Sequence, residues 1–219
     1  MKLRKNLLEK SQLYLILDRP GFPKFSLKKI TGLISGPEIG LIQLRDKLSA
    51  KADVLKFAVK LAKQARRTKT LFIVNDYVDV AAAVLADGVH LGQEDLPLKQ
   101  AKKILGKDKI IGISCHNLAQ ALKAQEDGAD YIGFGPIYAT ATKPGVSGIG
   151  LKAAAGLKAK LKIPYFVIGN ICAANIRKIT AAGISRAAVC RAVLRAGNPK
   201  QAAKQLYGEL KRYDSAGIR

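Results

Sequence analysis

Short apolar runs alternate with longer stretches of helical periodicity along nearly the whole chain. The runs lie at Leu13–Leu17, Ile39–Leu44, Leu71–Val74, Gly88–Leu91, Ile110–Ile113, Tyr131–Phe134, Tyr165–Ile168 and Ala187–Val189. Several hold almost no polar residue, the pattern of parallel strands buried on both faces. Helical periodicity occupies Ala52–Arg67, Val78–Leu85, Leu98–Leu105, Leu118–Asp127, Gly150–Lys160 and Ala173–Ala182. Gly106, Gly128 and Gly183 stand where helices end. Eight β-α units in 219 residues predict a compact (β/α)8 TIM barrel of the α/β class. An open doubly wound sheet is the runner-up, but no GxGxxG fingerprint follows the first strand. The whole chain reads as one domain. Residues 1–11 form an N-terminal helical extension, 12–213 the barrel with a closing helix at Pro199–Tyr213, and 214–219 a tail.

Charge complicates this picture. Lys and Arg number 38 against 16 Asp and Glu, a net +22. Such an excess suggests a nucleic-acid partner. Yet the cations recur along the chain, from Lys28-Lys29 through Arg66-Arg67 and Lys102-Lys103 to Lys211-Arg212, mostly in predicted helices. Aromatics make up 6% and tryptophan is absent, so stacking platforms are scarce. A solvated outer face explains most of the charge. A basic nucleic-acid-associated protein on a barrel scaffold stays as the alternative of a different class. The longest apolar stretches, such as Ala81–Ala86, are far short of a membrane span, and no apolar signal-peptide core follows the basic start. Cys115, Cys172 and Cys190 are odd in number and show no CxxC spacing. A cytoplasmic, reducing location is expected.

Barrels place their chemistry at the carboxyl ends of the strands, and here nearly every such end is polar. The first run ends in Asp18-Arg19, and the second continues as Gln43-Leu44-Arg45-Asp46-Lys47. Later ends carry Asn75-Asp76, Gly92-Gln93-Glu94-Asp95, Ser114-Cys115-His116, Gly169-Asn170 and Cys190-Arg191. The sixth run opens into a loop containing Thr140, Thr142 and Lys143. Gln43, Arg45 and Lys47 alternate, so an extended segment points them to one side. Two cations and an amide suit a polyphosphate. Asp76 and Asp95, from adjacent strands, suit Mg2+ bridging to a diphosphate. Each feature also has a plainer reading. Asp76 and Asp95 could cap the helices that follow them, Arg45 and Lys47 could be surface charges, and Thr140 and Thr142 could be turn residues. His116 reads best as a solvated or capping histidine, and the cysteines as packed thiols.

In the order and spacing of Gln43–Lys47, Val74-Asn75-Asp76, Asp87–Leu96, Ile111–Ser114, Asp130–Ile137 and Thr140–Lys143, the sequence resembles the family of thiamine-phosphate synthase and thiazole tautomerase. The resemblance runs from about Leu13 to about Leu206. It implies a Mg2+-dependent condensation. Hydroxymethylpyrimidine diphosphate loses pyrophosphate through a pyrimidine-methyl cation, and the nitrogen of hydroxyethylthiazole phosphate captures it to give thiamine phosphate. The expected partners are therefore these small-molecule substrates, with homo-oligomerisation open. The resemblance assigns Gln43, Arg45, Lys47, Asn75, Ser114 and Lys143 to the pyrimidine diphosphate, with Arg45, Lys47, Ser114 and Lys143 nearest the chemistry. It assigns Asp76 and Asp95 to Mg2+, and Thr140 and Thr142 to the thiazole phosphate. The tautomerase branch carries a histidine comparable to His116 but generally lacks the metal aspartates, so Asp76 and Asp95 favour the synthase.

Two departures from the family pattern fall at one predicted place. Gly169-Asn170 stands where a Gly-Gly pair is usual, and Cys190-Arg191 where an aliphatic residue precedes Ser. Both belong to the phosphate site expected at strands seven and eight. Asn tolerates the left-handed backbone region, and Arg supplies a stronger donor than Ser. The expectation is an altered but retained thiazole-phosphate grip using Asn170, Cys190 and Arg191; the alternatives are a different second substrate or an Arg191 that points outward into solvent.

Overall fold

The computed structural model describes residues 2–23, 25–139 and 147–215, with side chains described through Arg212. Eight parallel strands close into a barrel in sequence order. They are β1 (Leu13–Asp18), β2 (Ile39–Arg45), β3 (Leu71–Asn75), β4 (Gly88–Leu91), β5 (Ile110–Cys115), β6 (Tyr131–Phe134), β7 (Tyr165–Val167) and β8 (Ala187–Val189). Pairing of β1 with β8 closes the ring. The helices are α1 (Lys2–Lys10), α2 (Leu27–Ile34), α3 (Lys51–Thr68), α4 (Val78–Ala83), α5 (Leu98–Leu105), α6 (Leu118–Glu126), α7 (Leu151–Ala155), α8 (Ile176–Ala181), α9 (Arg191–Leu194) and α10 (Pro199–Ser215).

Strand alternation divides the core in two. Leu13, Leu15, Leu17, Ile42, Leu44, Phe72 and Val74 face the helices and join one large cluster. Tyr14, Ile16, Leu41, Leu71, Ile73, Ile110, Tyr131, Phe166 and Ala188 face inward and fill the barrel. The barrel's amino end is plugged by α1, whose Leu8 is 2% exposed and belongs to the inner cluster. Basic residues fasten this plug. Arg4 meets Asp87 at 2.7 Å and Lys5 meets Asp130 at 3.0 Å. Those carboxylates also accept backbone N–H bonds from Phe72 and Ile111 at the starts of neighbouring strands. The chemistry is thereby left to the opposite, carboxyl end.

Several boundaries differ from the sequence expectation. Asp18, Arg45, Asn75, Ser114 and Cys115 lie inside strands, because ladder hydrogen bonds do not depend on side-chain polarity. The expected helix at Gly150–Lys160 stops at Ala155, before the helix-weakening Gly156. The one expected at Ala173–Ala182 begins only at Ile176, since Asn175 folds the preceding residues into a turn by accepting from Cys172 N at 2.8 Å. Helix α2, which eight β-α units require but for which the sequence pattern set no bounds, is short and contains Gly32, yet it buries Ile30, Leu33 and Ile34 at helical spacing. The four-residue α9 was unexpected; it begins at Arg191.

Candidate functional site

The inward parity of each strand continues past the apolar layers into polar residues. On β1 the series Tyr14, Ile16 ends in Asp18, and on β2 Leu41 is followed by Gln43 and Arg45. Asn75, His90, Ser114 and Cys190 occupy the corresponding place on β3, β4, β5 and just after β8. These side chains line a cavity of about 220 Å³ at the barrel's carboxyl end, together with Lys47, Asp76, Asp95, His116, Asn170 and Arg191. Its volume is that of a recess for a small molecule. The structure therefore brings together Gln43, Arg45, Lys47, Asn75, Asp76, Asp95, Ser114, Asn170, Cys190 and Arg191. Thr140, Thr142 and Lys143 lie outside the described residues.

Charges within the pocket are organised in pairs. Arg45 binds the Asp18 carboxylate across the β1–β2 ladder, where the two residues are in register. Lys47 meets Asp76 at 2.8 Å. Asp76 is held in the left-handed region (φ 61°), and its N–H donates to the His90 carbonyl at 2.9 Å. Non-glycine residues rarely sit there, so the β3 end is built to present this carboxylate. Burial pushes the Asp76 carboxyl up from its ordinary value; neighbouring Asp95 pushes the same way, while Lys47 opposes. Asp95 accepts from Gly92 N at 2.6 Å. The cap readings of both aspartates fail. The N-cap positions of α4 and α5 are Tyr77 and Pro97, and neither makes a side-chain cap bond.

Two carboxylates forced together beside a cation form a hard oxygen donor set. Among the described residues no third His, Cys, Asp or Glu joins them in a metal-sized group. Asp76 and Asp95 are thus the residues here that could hold a divalent cation, one whose other ligands are water and a bound anion.

Across the pocket, the loop after β7 tolerates its departure. Gly169 (φ 114°) and Asn170 (φ 52°) both have positive φ. A Cβ on Gly169 would lie 2.6 Å from Pro136, so this position needs glycine. Asn170 has no such conflict, and its carbonyl accepts from Asn175 Nδ2 at 2.9 Å. Arg191 lines the same side and, unlike Arg45 and Lys47, has no carboxylate partner among the described residues. The Cys190 thiol is raised to about 11, chiefly by burial and then by Asp18, with Arg191 and Arg45 opposing. Cys115 is fully buried and raised to about 12, consistent with a packed thiol.

His116 does not cap α6; Asn117 does, accepting from Gln120 N at 2.9 Å. The His116 ring instead lines the pocket and hydrogen-bonds to the Gly135 carbonyl. Sequence reasoning left three polar residues out of the site: Tyr14, Tyr131 and His90, which link Gln43 to Ser114 beneath the pocket. Their available signal was polarity at inward strand positions.

A family model described as thiamine monophosphate synthase matches residues 13–193. A thiamine-phosphate synthase from Synechococcus sp. is 42% identical over 206 residues, covering 93% of this chain and 58% of that protein. One from Clostridium acetobutylicum is 39% identical over 202 residues, covering 92% of this chain and 95% of that protein. The solved thiamine phosphate pyrophosphorylase from Pyrococcus furiosus superposes with a TM-score of 0.83 at 34% identity, covering 95% of this chain and 98% of that one.

Proposed function

We propose, since the chain belongs to the thiamine monophosphate synthase family, that its pocket joins hydroxymethylpyrimidine diphosphate to hydroxyethylthiazole phosphate, releasing pyrophosphate. The observation that carries this reading is the convergence of Gln43, Arg45, Lys47, Asn75, Ser114 and the Asp76–Asp95 pair on one cavity. A diphosphate leaving group needs its developing charge neutralised as the carbon–oxygen bond breaks. Arg45 and Lys47 hold cations at the pocket edge for that purpose, each kept in place by a carboxylate until the substrate arrives. Asp76 and Asp95 would hold Mg2+, which when bound supplies further charge neutralisation on the diphosphate oxygens.

The bonding electrons leave with pyrophosphate, and the resulting pyrimidine-methyl cation is captured by the thiazole nitrogen lone pair. No protein nucleophile is consumed. The apolar floor formed by Ile16, Ile168 and Ala188 lines the same cavity and limits water near the cation. Gln43 and Ser114 orient the pyrimidine ring. Arg191 and the Gly169-Asn170 backbone receive the thiazole phosphate from the opposite side. The cavity suits small substrates better than a nucleic acid. Among the described residues no helix is long and apolar enough to cross a membrane, and a cytoplasmic site of action fits this chemistry.

Incubating the protein with both substrates and Mg2+ should yield thiamine phosphate and pyrophosphate in equal amounts. The tautomerase reading predicts conversion of a thiazole phosphate alone, without the pyrimidine substrate. That outcome, with no condensation, would replace the present reading.

A further inference from the structure

Five side chains from five strands form a continuous hydrogen-bonded row across the barrel. Gln43 Nε2 donates to the Tyr14 hydroxyl at 2.6 Å. The Tyr14 and Tyr131 hydroxyls lie 2.8 Å apart. Tyr131 meets Nδ1 of His90 at 3.0 Å, and Nε2 of His90 meets Ser114 Oγ at 2.9 Å. The barrel makes room for this row. A Cβ on Gly112 would lie 2.1 Å from the Tyr131 ring and 2.6 Å from His90 Nδ1, and one on Gly133 would lie 3.2 Å from His90. Tyr131 is fully buried and Tyr14 almost so, and burial holds both phenols well above their ordinary pKa. Each therefore keeps one proton and can donate once.

That single-proton rule, with the Gln43 amide as donor, favours one direction for the row. With Tyr14 accepting from Gln43, its own proton stays within the row when it goes to Tyr131. Tyr131 then donates to His90 Nδ1. His90 is left with its proton on Nε2, which donates to Ser114 Oγ. The Ser114 hydroxyl hydrogen is freed for the pocket. The opposite polarity, in which Ser114 donates to His90 Nε2, His90 Nδ1 to Tyr131 and Tyr131 to Tyr14, keeps the Gln43 amide as it is but sends the Tyr14 proton out of the row.

We propose that this row is a positioning device for the pyrimidine ring, in which Tyr131 and His90 fix the proton polarity of Ser114 and couple it to Gln43. The proposal rests on the reading that these two residues meet the pyrimidine. Tyr131 is not part of the pocket lining and acts only through the row.

Tyr131→Phe tests it. The ring remains, with its edge contacts to Tyr14 and Phe166, while the link is cut. The chain has two histidines, so 15N spectra of imidazole-labelled protein resolve His90 readily. Wild-type His90 should show a protonated Nε2 and a bare Nδ1, and Tyr131→Phe should shift this balance. Calorimetry with Mg2+ supplies the second readout. The variant should bind the pyrimidine diphosphate about tenfold more weakly, the scale of one misaligned hydrogen bond, and bind inorganic pyrophosphate within about twofold of wild type. Equal weakening of both ligands, unchanged binding of both, or a wild-type His90 protonated on Nδ1 would overturn the proposal. Wild-type protein that binds pyrophosphate as tightly as the pyrimidine diphosphate would overturn the pocket reading itself, and the proposal with it. If Tyr131→Phe does not fold, Tyr14→Phe cuts the same row one link earlier and carries the same expectation.

Discussion

Arg191 lies at one of the two places where the sequence reads as departing from the family pattern, and its substitution has a calculable effect. Arg45 and Lys47 are each committed to an aspartate, whereas Arg191 has no carboxylate to leave among the described residues. Its guanidinium can therefore meet a phosphate without first breaking an internal ion pair. Hydrogen bonds to charged groups contribute about 1.5–3 kcal/mol. The residue is partly exposed, so solvent screening places the effect in the lower half of that range. Arg191→Ala should then weaken hydroxyethylthiazole phosphate binding by about 10- to 40-fold, at about 1.4 kcal/mol per factor of ten. Pyrimidine diphosphate affinity should change by less than about twofold. Arg191→Ser, which restores the family's usual hydroxyl, should lose less than Arg191→Ala, and Arg191→Lys should fall between because it keeps charge without the planar fork. Calorimetry on each substrate separately gives the dissociation constants, and initial rates with each substrate varied give the KM values. Parallel loss for both substrates, or no loss for either, would refute a thiazole-phosphate role for Arg191.

Asp76→Ala and Asp95→Ala should each lower turnover by about a hundredfold or more, and pyrimidine diphosphate binding should lose its dependence on Mg2+; binding titrations with and without chelator check this. Leu8→Ala should cost about 2–3 kcal/mol in urea unfolding, the low end for a buried leucine because the chain terminus can relax, with turnover in the folded protein unchanged. Leu3→Ala on the exposed face of the same helix should cost under about 0.5 kcal/mol. At pH 8 a thiol reagent should label Cys172 first, since burial raises Cys190 to about 11 and Cys115 to about 12; peptide mapping that finds Cys115 labelled before unfolding would contradict the structure.

The barrel was legible because the strands are apolar over most of their length, several on both faces, so eight runs stood out however the helices were drawn. Strand ends were less legible. Asp18, Arg45 and Ser114 look like loop residues by polarity, yet they pair in the ladder. The pocket followed from chemistry at strand ends, and the pairs Lys47–Asp76 and Arg45–Asp18 show why those charges are grouped. The row from Gln43 to Ser114 was not legible. Tyr14 and Tyr131 are 117 residues apart and His90 lies 41 residues before Tyr131, so only closure of the barrel brings them together. Parity within each strand marks them as inward, but it does not say which inward residues meet. The same limit hid the role of α1: its basic residues read as surface charge until Asp87 and Asp130 were placed beside them.

The most direct measurement is the initial rate of thiamine phosphate formation, followed together with pyrophosphate release. It should be made with both substrates, with and without Mg2+. One thiamine phosphate per pyrophosphate, with formation abolished by a chelator and restored by added Mg2+, is the result this account predicts. No thiamine phosphate under any metal condition, while the pyrimidine diphosphate is bound, would contradict it.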